Sequence, residues 1–218
     1  MSKLKISVVL NMTITILVTI ATIFIMNGIY FMGEELSLTE TGIGLFKFFT
    51  VQSNVLMGVM AFIFMLFEIR ILLGKSKEIP KWIYILKLVF TVGVVLTFFT
   101  TALFLAPNSE DGYFSLFKNS NLFYHFVVPV LSGFTFTCFE KTDKIKFKYV
   151  FAGILPMLAY GIFYTINVFA HTVDGKILPE YDWYGFVAGG MSSILISFPI
   201  MLFATFLISF SMWKTNKI

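Results

Sequence analysis

Apolar residues run along the chain in six long blocks, at about 8–32, 48–73, 82–106, 121–139, 147–170 and 185–213, with charged and turn-forming residues gathered between them. Each block is roughly 19–29 residues long; about 20 helical residues cross the hydrocarbon core of a bilayer, whereas a barrel strand needs only about 9–11. None of the blocks alternates polar and apolar residues at every second position, as barrel strands do. A helix satisfies its own backbone hydrogen bonds, which lipid requires of any segment that crosses it. The pattern therefore predicts an all-α integral membrane protein, a bundle of six transmembrane helices in one polytopic domain over residues 1–218. Lys3 and Lys5 precede the first block as in a signal peptide. The block is too long for one and no small-residue cleavage site follows, so a retained span is expected.

Polar residues inside the blocks are grouped by helical spacing. The second block opens with FFTVQSNVLMGVM over 48–60, in which Thr50, Ser53 and Asn54 fall at i, i+3, i+4 and share a face, while Gln52 points elsewhere. In the fourth, Asn121 and His125 lie one turn apart and Ser132 continues near their face. Pro129 breaks that helix's hydrogen-bond ladder, and neighbouring polar groups are expected to satisfy the freed carbonyl. In the fifth, Tyr160, Tyr164, Asn167 and His171 make a single stripe, and the third ends in Thr97, Thr100 and Thr101.

Composition agrees with the pattern. Hydrophobic residues make up 58% of the chain and charged residues 13%, where a soluble domain carries about 25% charged. The basic residues decide orientation, because Lys and Arg collect on the cytoplasmic side. Lys3, Lys5, Arg70, Lys75, Lys77, Lys81, Lys87, Lys141, Lys144, Lys146, Lys148, Lys214 and Lys217 all fall on one side of a six-span topology. Only Lys47, Lys118 and Lys176 fall on the other, with Glu34, Glu35, Glu40, Glu110, Asp111, Asp174, Glu180 and Asp182. Both termini are therefore expected in the cytoplasm, N-in and C-in. The net charge of +4 reflects this orientation and calls for no nucleic-acid partner. Turns are expected at Pro107-Asn108, Asp111-Gly112, Asp174-Gly175 and Pro179. In the last outer loop, Tyr181, Trp183, Tyr184 and Phe186 read foremost as an interfacial aromatic belt, with a lid over a site as the alternative. The richness in Ile, Lys, Phe and Asn points to an AT-rich genome and the cytoplasmic membrane of a bacterium.

With this topology the polar stripes of four spans meet in the outer half of the membrane. An unpartnered polar group in hydrocarbon costs about 2–7 kcal/mol, so stripes at one depth are expected to satisfy one another around a polar pocket. Glu68 and Glu140 are expected at the cytoplasmic helix ends, in reach of water. Cys138 is expected to be apolar filler, and a single cysteine makes no internal disulfide.

Two segments resemble a known family. KFFTVQSNVL (47–56) and YHFVVPVL (124–131) are similar to segments of the six-span androgen-induced-gene family, which includes the androgen-dependent TFPI-regulating proteins, and bacterial relatives often carry an F-T-x-Q-S-N segment. Animal members hydrolyse esters joining a fatty acid to a hydroxy fatty acid, with an intramembrane threonine and histidine. Their threonine follows a K-F-L-like segment, here Lys47-Phe48-Phe49-Thr50; their histidine precedes a short apolar run ending in proline, here His125 to Pro129. The resemblance implies Thr50 as nucleophile and His125 as base. Gln52-Ser53-Asn54 stands where the animal sequences vary.

The residues permit that chemistry. A threonine hydroxyl needs an adjacent base to become a nucleophile, and an imidazole of ordinary pKa about 6.5 can serve. Asn54, Gln52 or Ser53 could donate to an oxyanion. Asn121, Tyr164, Asn167 and His171 would complete the pocket, and Asp182, Tyr164 or His171 could orient the base. No cofactor and no metal are expected, and the expected partner is a membrane lipid or lipid-like substrate. Two alternatives compete: a non-enzymatic protein that binds or transports a lipid or small molecule in the same pocket, and a metal site built from His125, His171 and Asp182. Coupled transport usually places carboxylates mid-membrane, and none is expected there.

Overall fold

A computed structural model describes residues 2–33, 40–173, 176–187 and 191–217. Six helices are long and apolar enough to cross a bilayer, and the chain is a multi-pass membrane protein of the all-α class. They are α1 (Lys3–Met26), α2 (Phe49–Leu72), α3 (Lys81–Asn108), α4 (Ser120–Cys138), α5 (Phe147–Ala170) and α6 (Met191–Asn216). Six spans leave both termini on one face of the bundle, the terminal face. The far face carries the loops α1–α2, α3–α4 and α5–α6. Two-residue strands β1 (Thr172–Val173) and β2 (Lys176–Ile177) pair antiparallel in the last of these loops. Glu34, Glu35 and the Asp174-Gly175 turn lie outside the described residues.

α3 is the central helix. It packs against α2, α4, α5 and α6, and 56% of its apolar window is buried, against 17% for α6. The outward faces of the other helices carry large apolar side chains, such as Ile16, Phe62, Phe163, Leu195 and Phe203, as suits a lipid solvent. α1 and α2 approach closely where Gly58 meets Val18, and Thr15 Oγ1 donates to the Gly58 carbonyl at 3.3 Å.

Helix ends follow caps more than hydropathy. α1 was expected over 8–32 and runs from Lys3 to Met26. Ser2 starts it, its hydroxyl accepting from the Lys5 amide at 3.4 Å. Asn27 and Gly28 end it, the glycine taking a φ of +65° that other residues avoid. The sixth block was expected from 185, but Gly185 to Val187 form a turn held by Asp182. α6 is described from Met191 and continues to Asn216.

The terminal half of the bundle corrects a further expectation. Glu68 and Glu140 do not reach water: they are 2% and 3% exposed, and Lys87, counted above among the loop lysines, is fully buried inside α3. Lys87 pairs with Glu140 at 3.2 Å. Ser7 and Asn11 of α1 are also wholly buried, and Asn11 Nδ2 donates to Glu140 Oε1 at 2.7 Å and Glu68 Oε2 at 3.3 Å. The terminal half is thus polar at its core, built from residues that charge counting alone places in loops and at helix ends.

Candidate functional site

The far half of the bundle is organised by a defect in α4. Over Phe123–Val127 the helix widens into a π-turn, so the Val128 amide donates to the Phe123 carbonyl. The Tyr124 carbonyl thereby loses its usual donor. The next amide in line belongs to Pro129, which has no hydrogen to give. Asn54 Nδ2 of α2 reaches that carbonyl instead at 3.1 Å, and Thr97 Oγ1 of α3, which donates foremost to the Val94 carbonyl at 2.7 Å, lies 3.5 Å from it. Asn54 also donates to the Thr50 carbonyl at 2.8 Å, and Ser53 Oγ does so at 3.1 Å. π-turns are found frequently at functional sites, and this one carries His125.

His125 is buried, with Nδ1 at 2.8 Å from the Leu116 carbonyl and the Phe117 ring against it edge-on. A carbonyl only accepts, so Nδ1 carries the hydrogen and Nε2 presents its lone pair. Asn121 and Ser132 are wholly buried on the same helix.

Thr50 lies in the first turn of α2 and is 7% exposed. The amides at the start of a helix have no intrahelical acceptor and form its positive end. The Phe49 amide donates to the Tyr184 hydroxyl at 2.9 Å, and Thr50 and Tyr184 line one cavity. Burial holds the Tyr184 phenol above its ordinary pKa, so it stays a neutral donor. Thr50, Thr97, Thr100, Thr101, Tyr160 and Tyr184 line a cavity of about 30 Å³, room for about one water. The rings of Phe49 and Tyr160, with centroids 5.2 Å apart, border both this cavity and a cleft of about 360 Å³ between α2, α3 and α5. Gln52 and Ser53 line the cleft, and so do Leu56 and Phe163, whose outer faces are exposed on the flank of the bundle. The cleft therefore opens sideways. Gln52 is fixed there by donating to the Phe46 carbonyl at 2.6 Å.

The aromatic residues of the last far-face loop, partly buried, pack over the α5 stripe as a lid would. Trp183 Nε1 donates to the Tyr160 hydroxyl at 2.9 Å, and that hydroxyl donates to the Lys47 carbonyl at 2.8 Å. Tyr164 donates to Asp182 Oδ1, while Asp182 Oδ2 accepts from the Val187 amide at 3.0 Å. Asn167 reaches the Tyr181 carbonyl at 3.4 Å, and His171 stacks on the Tyr181 ring at 3.6 Å. The stripe bonds a lid in place, because buried polar groups take a partner wherever one is within reach.

The sequence-predicted residues thus form two linked groups. Asn54 ties the Thr50 and Tyr124 carbonyls together, with Ser53 on the first and Thr97 near the second, while Tyr160, Tyr164, Asn167 and His171 serve the lid. Among the described residues no hydrogen bond joins Thr50 to His125. Asp182 spends its oxygens on Tyr164 and Val187 and does not orient His125. The alternative trio of His125, His171 and Asp182 is not assembled, since no metal-holding cluster occurs among the described residues. Tyr184, which the spacing arguments passed over, is the residue closest in chemistry to Thr50. Its only sequence signal was membership of the aromatic run DWYGF.

The fold and the site define a six-span all-α membrane protein with a laterally open cleft beside a threonine-lined cavity. No family model, no curated protein and no solved structure matches the chain.

Proposed function

We propose that the chain is an intramembrane hydrolase of a lipid ester of the fatty-acid-ester type, in a bacterial cytoplasmic membrane, with Thr50 as nucleophile and His125 as base. The observation that carries this reading is the position of Thr50. It stands at the positive start of α2, beside a cavity parted by two aromatic rings from a cleft open toward lipid. An ester entering from the bilayer would place its acyl chain in the cleft and its carbonyl at the threonine. Thr50 Oγ attacks the carbonyl carbon and its proton passes to His125 Nε2. The oxyanion is held by the first-turn amides and the Tyr184 phenol. The alcohol leaves with the proton from His125, and water, deprotonated by the same imidazole, hydrolyses the acyl-threonine. Substrate binding must bring His125 to Thr50, and the π-turn is the element that can adjust.

The missing Thr50–His125 hydrogen bond favours a second reading, a protein that binds or moves a lipid or small molecule without breaking it. The two are separated by one experiment. Purified protein in lipid nanodiscs is given a panel of long-chain ester lipids, as wild type, Thr50→Val and His125→Ala. The hydrolase reading expects turnover that falls by at least about 100-fold in each variant while both remain folded. Retention of ester by wild type without breakdown supports the second reading and rejects the first.

A further inference from the structure

The buried group at the terminal face is built like a binding site and is used by none of the chemistry above. It draws on four elements: Ser7 and Asn11 of α1, Glu68 of α2, Lys87 of α3, and Glu140 just beyond α4. At 1.5 Å per residue, Asn11, Glu68 and Lys87 lie about 6–12 Å inside the ends of their helices. Lys87 Nζ donates to Asn11 Oδ1, pairs with Glu140 Oε1 at 3.2 Å and lies over the Phe64 ring at 5.1 Å. Asn11 Nδ2 serves both carboxylates, and Ser7 Oγ reaches Glu140 Oε1 at 3.5 Å. Other polar groups close the surroundings without changing the charge. Tyr84 packs edge-on against Phe64, Lys144 is taken by Glu78 at 2.8 Å, and Asn216 of α6 holds the Glu140 carbonyl at 2.9 Å.

Two independent shortages appear. Among the described residues the group holds two buried carboxylates and one buried ammonium, leaving one negative charge in the interior. Separately, Glu140 Oε2 is buried and has no hydrogen-bond partner among the described residues; unlike Asn54 Oδ1, Ser132 Oγ and Asn216 Oδ1, which share that condition, it belongs to a group that can take up a proton. One bound proton neutralises the excess charge, and Glu140 Oε2 is an oxygen free to carry it.

We propose that Glu68 and Glu140, set against the single ammonium of Lys87, form a binding site for one proton, and that this proton locks the terminal-face ends of α1, α2, α3 and α4 together. The proton belongs to the pair. Without it, two like charges on different elements face one ammonium, and the contacts joining those elements lose their balance. The terminal face then loosens, so protonation couples the aqueous side to the shape of the bundle.

The test uses the full chain in lipid nanodiscs and infrared difference spectroscopy at neutral pH. Wild type is expected to show one protonated-carboxyl C=O stretch per chain. That band is lost in Glu68→Gln and equally in Glu140→Gln, because either substitution leaves one carboxylate for one ammonium. Persistence of the band in either folded variant, or its absence from wild type, overturns the proposal. Should one variant fail to fold, the other decides by the same criterion. The lock is read at the native thiol of Cys138, half-buried two residues before Glu140. Its alkylation by a bulky water-soluble maleimide is expected to accelerate with pH several-fold more in wild type than in Glu68→Gln. A ratio of rates that stays constant with pH overturns the lock.

Discussion

Asn54→Ala tests the account of the far-half polar residues most directly. Asn54 is wholly buried, and its Nδ2 supplies the better of the two donors to the Tyr124 carbonyl. Removing it leaves that carbonyl with Thr97 Oγ1 alone, at 3.5 Å. The Thr50 carbonyl keeps Ser53 Oγ at 3.1 Å, so only one acceptor is stranded. An unsatisfied buried acceptor costs about 1–3 kcal/mol, whereas interhelical hydrogen bonds measured in a membrane average about 0.6 kcal/mol. The proline argues for the upper part of that span, because no shift of the helix can bring a backbone donor to Tyr124. Asn54→Ala is therefore expected to cost about 2 kcal/mol, a factor of about 30 in the folded-to-unfolded ratio. Thr97→Val keeps the side chain's volume and removes only the weaker donor, for about 0.5 kcal/mol. The two donors share one acceptor, so the double variant should exceed the sum of the singles by about 1 kcal/mol. Unfolding in mixed micelles, titrated with a denaturing detergent and followed by circular dichroism, measures all four proteins. An Asn54→Ala protein within about 0.6 kcal/mol of wild type, the bottom of that span, or strict additivity in the double variant, would refute the reasoning.

Two other outcomes follow from packing and from pH. A methyl group at Gly58 would lie 2.7 Å from Val18 Cγ1, so Gly58→Ala should cost about 1–3 kcal/mol, and Val18→Ala in the same chain should recover part of it in the same titration. The Tyr184 phenol is held above its ordinary pKa by burial, so the folded chain keeps a proton that the unfolded chain loses near pH 10. Its contribution is then complete at neutral pH and declines as pH rises past about 10. A thermal melt series is expected to show that decline, less steeply in Tyr184→Phe.

The spans were legible because about 20 apolar residues in a row have one outcome in a bilayer. Their ends were less so, since Ser2, Gly28 and Asp182 set them and none of these alters hydropathy. The spacing of Thr50, Ser53 and Asn54 rightly put three side chains on a buried face. It could not name the partner of Asn54 on the next helix, because that partner is a backbone carbonyl on α4 exposed only by the π-turn. The aromatic loop was ambiguous because a belt and a lid have the same composition; they differ in whether Tyr160 and Tyr164 offer hydroxyls at the right height. Lys87 was misplaced because counting basic residues near helix ends treats a lysine six residues inside α3 as a loop residue. Only the carboxylates of two other elements show why it can be buried.

The two polar layers impose different rules on access. The terminal-face layer is charged, tightly cross-bonded and sealed, and parting it separates Lys87 from Glu140 in a dry setting, where an uncompensated buried charge costs about 3–5 kcal/mol. Around Thr50 and Tyr124 the far-half layer is uncharged, and its hydroxyls and amides bond mainly to backbone carbonyls, which a modest rotation can exchange. The large cleft opens on the flank of that half, while the last loop, bonded down through Asp182, Trp183 and Tyr184, covers it from above. On the proposed function, a molecule would reach Thr50 from the bilayer, past Leu56 and Phe163 and between Phe49 and Tyr160. That reading expects a lipid-like ligand whether or not Thr50 cleaves it.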